Sequence, residues 1–301
     1  MYDAIVIGGS FAGLSAALQL ARARRHVLVI DGGQRRNRFV SHSHGFITQD
    51  GQSPGEIVAR ARAQLVAYPS VTWMEGRVET ARRTEDGRFA VKTTTSELEA
   101  LALVLAIGVT DSLPDIPGLQ KRWGKSIFIC PYCDGYELGD GPIGVLNVSP
   151  MSIHHALMLP DWGRTIFFLN GRADPTDEEM RHLHRRGVAL ERAPITLIDG
   201  ERADVHLADG RVVPVAGAFT TTRTTLSSDI AHQLGCEIEE SPSGVFLRTD
   251  FRKATTIPGV FACGDAARSF GSVAMAVGDG NLAGSTAHQW TILRKMGQPH
   301  E

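Results

Sequence analysis

The chain has 301 residues, of which 43% are hydrophobic and 21% charged, and its formal net charge is −2. This composition is typical of a globular protein with enough chain for two domains, and the near-neutral charge argues against nucleic acid or an anionic membrane as a partner. No apolar run reaches the ~18–20 residues of a membrane span. Because the chain is expected to be in a strand by Ala4, no room is left for a signal peptide, and we expect a cytoplasmic protein.

The amino-terminal residues follow the pattern of a β-α-β unit. Tyr2 to Ile7 predicts a buried strand, Leu14 to Arg24 a helix, and His26 to Ile30 a second strand that ends at Asp31. The loop from Gly32 to Gly55 is long for a structureless connection, so we expect it to contact a ligand.

A second β-α-β unit follows about 130 residues later, which indicates a duplicated architecture. The other predicted elements, in chain order, are a helix at 56–68, strands at 71–75, 88–93 and 101–106, a linker at 110–118, a strand at 144–147, a helix at 151–159, a strand at 164–169, a hairpin at 202–215, a strand at 259–263 and a helix at 280–294. The sequence therefore predicts an α/β fold of two doubly wound, Rossmann-like nucleotide-binding domains, the second inserted in the first. The expected boundaries are 1–112 plus 247–301 for the first domain and 113–246 for the inserted one.

A glycine-rich turn separates the first strand from the first helix. Gly8 permits the tight turn, Gly13 lets the helix pack close to the strand, and the helix N–H groups would face a pyrophosphate. Ser10 replaces the usual middle glycine, but it is small and its hydroxyl can bond a phosphate. Asp31, eighteen residues after Gly13, stands where an acid would bond ribose hydroxyls. Strand, helix and acid together favour a dinucleotide site over a turn with chance glycines.

Two cysteines near the middle of the chain have the spacing of a redox pair. In Cys130-Pro131-Tyr132-Cys133-Asp134 the short loop would hold the sulfurs within bonding distance. Asp134 could act as acid and base for the departing thiol if partial burial raises its pKa. A zinc site would need a second such pair, which the sequence lacks, so we expect no metal. The remaining Cys236 and Cys263 are predicted to be core residues.

Together these motifs resemble the low-molecular-weight thioredoxin reductases, FAD enzymes of two doubly wound domains that work as homodimers. The resemblance covers nearly the whole chain and rests on residues 8–13 with Asp31, 106–108, 130–134 and 259–265. It implies an FAD-binding first domain and an inserted pyridine-nucleotide-type domain that carries the dithiol. It also implies that Cys130 attacks the partner's disulfide, that Cys133 lies next to the flavin, and that Asp134 is the proton donor.

The resemblance further implies a set of FAD-binding residues. Asp265 would bond a ribityl hydroxyl, and the N–H of Val273 would lie near O2 of the flavin ring. The histidines between Ser41 and Phe46 would pass near the flavin, where they could stabilise a thiolate or a reduced flavin, or they could be surface residues. The implied FAD-binding residues are Gly8, Ser10, Ala12, Gly13, Asp31, Gly32, Asn37, His44, Gly45, Val78, Ala106, Gly108, Gly264, Asp265 and Val273.

The chain departs from the family where NADPH should bind. The second turn, from Asn147 to Ser152, has no glycine, and Pro150 has no N–H to donate. The basic cluster expected after the next strand is reduced to Arg172, with Asp174 close by. Both features predict weak or absent NADPH binding.

Several functions therefore remain open. The favoured hypothesis is a thioredoxin reductase-type enzyme that takes electrons from another donor, such as ferredoxin, to reduce a thioredoxin-like protein. One alternative is a small-molecule dithiol oxidase that passes electrons through FAD to oxygen, and another is an NADPH-dependent thioredoxin reductase. A flavin-bound redox sensor is a further, non-enzyme alternative, which Asp134 argues against because a sensor needs no proton donor.

Overall fold

The computed structural model describes residues 1–296 and contains two compact units. The strands are β1 Tyr2–Ile7, β2 Val27–Asp31, β3 Val71–Glu75, β4 Val78–Arg83, β5 Phe89–Thr93, β6 Glu97–Leu105, β7 Val109–Ser112, β8 Ile127–Phe128, β9 Ile143–Leu146, β10 Thr165–Phe168, β11 Ala189–Glu191, β12 Ile195–Asp199, β13 Ala203–Leu207, β14 Val212–Val215, β15 Gly217–Phe219, β16 Arg223–Leu226, β17 Ile238–Ser241, β18 Gly244–Leu247 and β19 Val260–Ala262.

The described residues form eight α-helices, more than the four that the sequence analysis predicts. They are α1 Phe11–Arg22, α2 Pro54–Val66, α3 Leu119–Arg122, α4 Pro131–Asp134, α5 Ser152–Met158, α6 Asp177–Arg185, α7 Ile230–Gln233 and α8 Val273–Lys295, with 3-10 turns at Tyr136–Leu138, Leu159–Asp161 and Gly264–Ala267. Within residues 1–296, none of these helices combines the length and the apolar character needed to cross a membrane.

The first unit is built on a doubly wound sheet. It comprises Met1–Arg38, Ser53–Thr110 and residues 224–296. Its main sheet has the order β3-β2-β1-β6-β5-β4, and β19 pairs with β6. The pairings among β1, β2, β3, β6 and β19 are parallel, whereas β4 and β5 are antiparallel. This is the predicted fold class, with the functional edge at the carboxyl ends of the parallel strands.

Both faces of this sheet are buried, which explains why β1 is apolar without interruption from Ala4 to Ile7. Ile5 and Ile7 of β1 pack into one hydrophobic core, and Ala4 and Val6 pack into the other. The parallel register places Ile7 beside Ile30 and Leu105. The residues that follow these three strand ends, among them Gly8, therefore meet at one edge of the sheet.

The first and last helices pack unusually closely because glycines line their contact. A Cβ at Gly280 of α8 would lie 2.0 Å from the Ala12 carbonyl oxygen of α1, and one at Gly284 would lie 2.3 Å from that of Ala16. Only a residue without a side chain fits at either position. The contact fixes α1, whose amino terminus forms the predicted dinucleotide site.

The second unit repeats the pattern on a smaller scale. It comprises Phe39–Gln52 and Asp111–Arg223. Its parallel sheet has the order β11-β10-β9-β15-β8, and β12, β13 and β14 form a separate antiparallel sheet. The predicted hairpin at 202–215 is the β13–β14 pair. The turn from β9 to α5 corresponds to the predicted nucleotide turn of the inserted domain.

The observed units differ from the predicted boundaries at two places. Residues 224–246 pack with the first unit, because Ile230, Ala231 and Cys236 are buried in one of its two cores. Residues 39–52 pack with the second unit, although the sequence analysis assigned them to the first. Neither segment carries a pattern that distinguishes which core it joins.

We predict that Gly280→Ala lowers the free energy of unfolding by roughly 1–3 kcal/mol, since its methyl group would overlap the α1 backbone. Urea unfolding followed by circular dichroism, at equal flavin content, measures this change. Gly278→Ala on the same helix is the matched control, because a Cβ there meets nothing within 4 Å. The control should be neutral or more stable, and equal losses in both variants would contradict the packing argument.

Candidate functional site

The first turn is a backbone cradle that excludes side chains at two positions. Gly8 has a φ of +106°, and a Cβ on it would lie 2.2 Å from the Ala106 carbonyl oxygen. A Cβ on Gly13 would lie 1.8 Å from the Gly8 carbonyl oxygen. The strand end and the helix start therefore approach each other as closely as two backbones can, which is what a bound dinucleotide requires.

The N–H groups of this turn divide into two sets. The Gly8 N–H donates to Ile30 O at 2.8 Å, and the Gly9 N–H donates to Asp31 Oδ1 at 3.0 Å. The first bond of the α1 ladder runs from Leu14 N to Ser10 O, and the Ser10 side chain makes no cap bond within the described chain. The N–H groups that precede Leu14 thus lie at a helix start without an intrahelical acceptor, an arrangement suited to a pyrophosphate.

The second signature lies against the first. Gly264, which follows β19, is so close to α1 that a Cβ on it would lie 2.8 Å from the Ala12 Cβ. Asp265 accepts a hydrogen bond from Arg36 Nη1 at 3.0 Å. Arg36 was missed by the sequence analysis, although the run from Arg35 to Arg38 in a loop expected to contact ligand was a signal. The backbone cradle, the acid at the end of β2 and this second acid fit an FAD molecule.

The remaining predicted cofactor residues separate into two groups. Ala106, Gly108, Gly32, Asn37, Val78 and Val273 all lie in the first unit with the cradle. Val273 begins α8, where the Ser272 side chain caps the helix by accepting from Met275 N. His44 and Gly45 lie instead in the second unit, which carries the dithiol. A flavin contact for His44 and Gly45 remains a prediction.

Cys130 is the N-cap of the short helix α4 and Cys133 is its third residue, with their sulfurs 2.6 Å apart. The Cys130 carbonyl accepts from the N–H groups of Cys133 and Asp134, which closes the turn that holds the sulfurs together. Hydrogen bonding from Cys133, followed by that from the Tyr132 backbone, lowers the pKa of the Cys130 thiol against the opposing effects of burial and Asp134. The lowered pKa of this thiol is consistent with the nucleophile role that the resemblance implies for Cys130.

Asp134 follows the second cysteine in a largely buried position. Burial raises its pKa to about 7; the charge of His44 opposes this increase, and that of Glu137 adds to it. A carboxyl group with such a pKa carries a proton near neutral pH and can give it to a departing thiolate. The environment of Asp134 thus suits the predicted role of proton donor.

In the second nucleotide turn, acceptors within the protein bind the backbone N–H groups. The Ser152 hydroxyl accepts from Val148 N at 3.1 Å and from Ser149 N at 3.2 Å. The Ser149 hydroxyl accepts from Met151 N at 3.2 Å. Asn147 N donates to Phe168 O and Ser152 N to Ser149 O, while Pro150 has no N–H. Every N–H from residue 147 to 152 is therefore satisfied by the protein itself.

The region after β10 offers little positive charge for a 2′-phosphate. Asp174 forms a two-oxygen ion pair with Arg192, at 3.1 Å from Nε to Oδ1 and 3.2 Å from Nη2 to Oδ2. Arg172, on the same loop, is the remaining cation of the predicted cluster, and Arg185 closes the separate helix α6. Asp174, the acid close to Arg172, therefore forms its ion pair with Arg192.

Comparison with known proteins identifies the family. The family model for pyridine nucleotide-disulphide oxidoreductases matches residues 2–280. Thioredoxin reductase sirT of Leptosphaeria maculans is 32% identical over an alignment of 305 positions, which covers 95% of this chain and 93% of that protein. Thioredoxin reductase tcpT of Claviceps purpurea is 30% identical, over 98% of this chain and 96% of that protein. A crystal structure of an oxidoreductase from Agrobacterium tumefaciens is 54% identical, with a TM-score of 0.94, and covers 97% of this chain and 99% of its own.

The chain belongs to the pyridine nucleotide-disulphide oxidoreductase family. Within it, the chain is an FAD-dependent oxidoreductase of the thioredoxin reductase type.

We predict that Asp134→Asn slows the reaction of the reduced protein with an alkyl disulfide, such as oxidised glutathione, by roughly 100-fold or more at pH 6. The alkyl leaving thiolate is basic and needs a proton, whereas an aromatic thiolate leaves without one. Stopped-flow rates with an alkyl and an aromatic disulfide check this, and equal slowing with both would contradict proton donation. Asp140→Asn, an exposed acid beyond the dithiol helix, is the control.

Asp134 should also make folding stability depend on pH. Its pKa is raised from 3.8 to about 7, so the folded protein holds a proton that the unfolded chain releases. The stabilisation is fully present below pH 4 and is lost as the pH rises through about 7. Thermal unfolding at pH 5 and pH 8 should differ less in Asp134→Asn than in the unmodified protein, and an unchanged difference would argue against the raised pKa.

Proposed function

We propose that this protein is an FAD-dependent thiol–disulfide oxidoreductase that does not use NADPH. It takes electrons from another donor, such as a ferredoxin, and reduces a thioredoxin-like protein through Cys130 and Cys133. A homodimer and a cytoplasmic location are part of this proposal, from the resemblance and the composition respectively. NADPH independence is its least conventional element.

The observation that carries the proposal is the contrast between the two nucleotide turns. The first turn leaves the N–H groups before Leu14 without an acceptor in the helix. In the second, the hydroxyls of Ser149 and Ser152 accept the corresponding N–H groups. A pyrophosphate there would have to displace these bonds and would meet side chains where close approach needs glycine. This supports a second unit that retains the fold without the nucleotide.

The dithiol and Asp134 together account for the protons of one turnover. The reduced site holds the Cys130 thiolate, the Cys133 thiol and protonated Asp134. Cys130 attacks the partner's disulfide, and the first departing thiolate takes the proton of Asp134. Cys133 then attacks the Cys130 sulfur, returning its proton through Asp134 to the second departing thiolate. The site ends as a disulfide and the partner as two thiols, so that electrons and protons balance.

FAD supplies the two electrons that return the site disulfide to the dithiol. The residues that fit it are the backbone of 8–13, Asp31, and Asp265 with Arg36. The lowered pKa of Cys130 favours the thiolate that begins the next cycle.

The aromatic side chains at the dithiol favour one second candidate. Tyr132 lies between the cysteines with 69% of its surface exposed, and Tyr136 in the next turn is 86% exposed. Trp162 packs against the Tyr132 ring edge-on, at 5.2 Å between centroids. Exposed rings next to a nucleophilic sulfur suit an apolar small-molecule dithiol, the substrate class of a dithiol oxidase that passes electrons to oxygen.

We predict that anaerobic titration with NADPH, and then NADH, leaves the visible flavin band unchanged, since no N–H remains in residues 147–152 to bind the pyrophosphate. A small dithiol such as dithiothreitol should bleach the band through the cysteine pair. Bleaching by stoichiometric NADPH would overturn the proposal and make the protein an NADPH-dependent reductase.

We predict further that Cys133→Ser prevents bleaching by the dithiol and traps a mixed disulfide on Cys130, detectable by intact mass. Turnover that survives this substitution would contradict the mechanism. Reoxidation of the reduced protein then separates the two candidates. Faster reoxidation by oxidised thioredoxin supports the reductase, whereas faster reoxidation by air oxygen supports the dithiol oxidase.

A further inference from the structure

The segment of residues 39–52 forms an ordered hairpin loop in the dithiol unit. Ser43 and Gln52 form an antiparallel bridge, with Ser43 N donating to Gln52 O at 2.9 Å. Asp50 accepts from Gly45 N at 2.8 Å, which closes the tip. These bonds hold His44, between Ser43 and Gly45, in one place.

His44 binds the backbone of the dithiol helix directly. Its Nδ1 lies 2.9 Å from the carbonyl oxygen of Cys133. A carbonyl oxygen only accepts, so Nδ1 is the donor and carries a proton. The Cys133 carbonyl is near the end of the four-residue helix α4. The bond from His44 therefore ties the loop to the backbone of the dithiol helix.

The other nitrogen of His44 faces a carboxylate. Nε2 lies 3.4 Å from Glu137 Oε1, with 19% of the His44 side chain and 43% of the Glu137 side chain exposed. Protonation of Nε2 would complete an ion pair with this carboxylate. The loop thus holds the imidazole ring between the Cys133 carbonyl and Glu137.

The charge of this ring acts on Asp134. Burial raises the pKa of Asp134 to about 7, and His44 is the cation that opposes the increase. Asp134 in turn acts on Cys130, because its negative charge raises the pKa of that thiol. A change at His44 therefore reaches the nucleophile through Asp134.

We propose that His44 is a positioning residue of the dithiol site, which sets the protonation of Asp134 while it fixes the Cys133 carbonyl. The proposal rests on the thiol–disulfide chemistry proposed above and adds a residue from a distant part of the chain. His44 touches neither sulfur, so its effect is transmitted through Asp134 and the α4 backbone.

The ionisable groups around His44 come from two elements of the second unit. Its own loop contributes His42, whose ring centroid is 6.4 Å away, and Asp50, which binds the Gly45 N–H. The dithiol helix and the following turn contribute Cys130, Cys133, Asp134 and Glu137. His42 is exposed and bonds Ser41 Oγ through Nδ1, so it provides a neighbouring histidine outside the dithiol contact.

The test measures iodoacetamide alkylation of Cys130 in the reduced protein as a function of pH. Ionisation of Asp134 near pH 7 should appear as an inflection, because it changes the thiolate fraction of Cys130. In His44→Asn the amide nitrogen can still donate to the Cys133 carbonyl, but the charge is lost. We expect the inflection to move up by roughly 0.5–1 pH unit. His42→Asn should leave it in place.

Three further results decide the proposal. An unmoved inflection in His44→Asn, or an equal movement in His42→Asn, would overturn it. If His44→Asn does not fold, His44→Gln serves as the second variant, with the same expected direction. In Asp134→Asn the inflection should be absent with or without the His44 substitution, and a shift that persists there would show that His44 does not act through Asp134.

This experiment needs no electron donor and no partner protein. Flavin bleaching by NADPH would overturn the proposed function and leave the alkylation result standing. An unmoved inflection would remove the role of His44 and leave the NADPH question untouched. The two failures are therefore distinguishable.

Discussion

A backbone N–H group at the start of a helix must find an acceptor, and this constraint shapes both nucleotide-type turns. In the first unit, glycines at positions 8 and 13 bring strand and helix together, and the N–H groups before Leu14 are left for a bound anion. In the second unit, the Ser149 and Ser152 hydroxyls replace the anion. The first turn therefore leaves N–H groups for a cofactor, whereas the side chains of the second turn satisfy its own N–H groups.

The opposing effects of burial and charge set the pKa values of the groups at the dithiol. Burial alone would hold Asp134 protonated to a higher pH, and the cation at His44 reduces that tendency. The result is a carboxyl group whose pKa of about 7 suits it to both giving and taking a proton. The hydrogen bonds that lower the pKa of Cys130 complement it, because a thiolate and a protonated acid are the pair from which exchange begins.

Much of this architecture could be predicted from local patterns. β1 is apolar from Ala4 to Ile7 because both sheet faces are covered there, and the predicted range from Tyr2 to Ile7 matches the observed one. α8 is a different case, since it begins at Val273 whereas the pattern predicted a start at Gly280. Its first turns contain glycine and small residues that pack on α1, and such residues weaken a helical pattern in sequence.

The sequence alone determined the fold class, the cofactor turn, the dithiol and the loss of glycine in the second turn, because each depends on residues close together in the chain. Only the tertiary structure decided which core each segment joins. It also placed His44 against the Cys133 carbonyl and paired Arg36 with Asp265. Those contacts join residues 89 and 229 positions apart. Burial and charge at such distances are properties of the folded chain, since neither has a local sequence pattern.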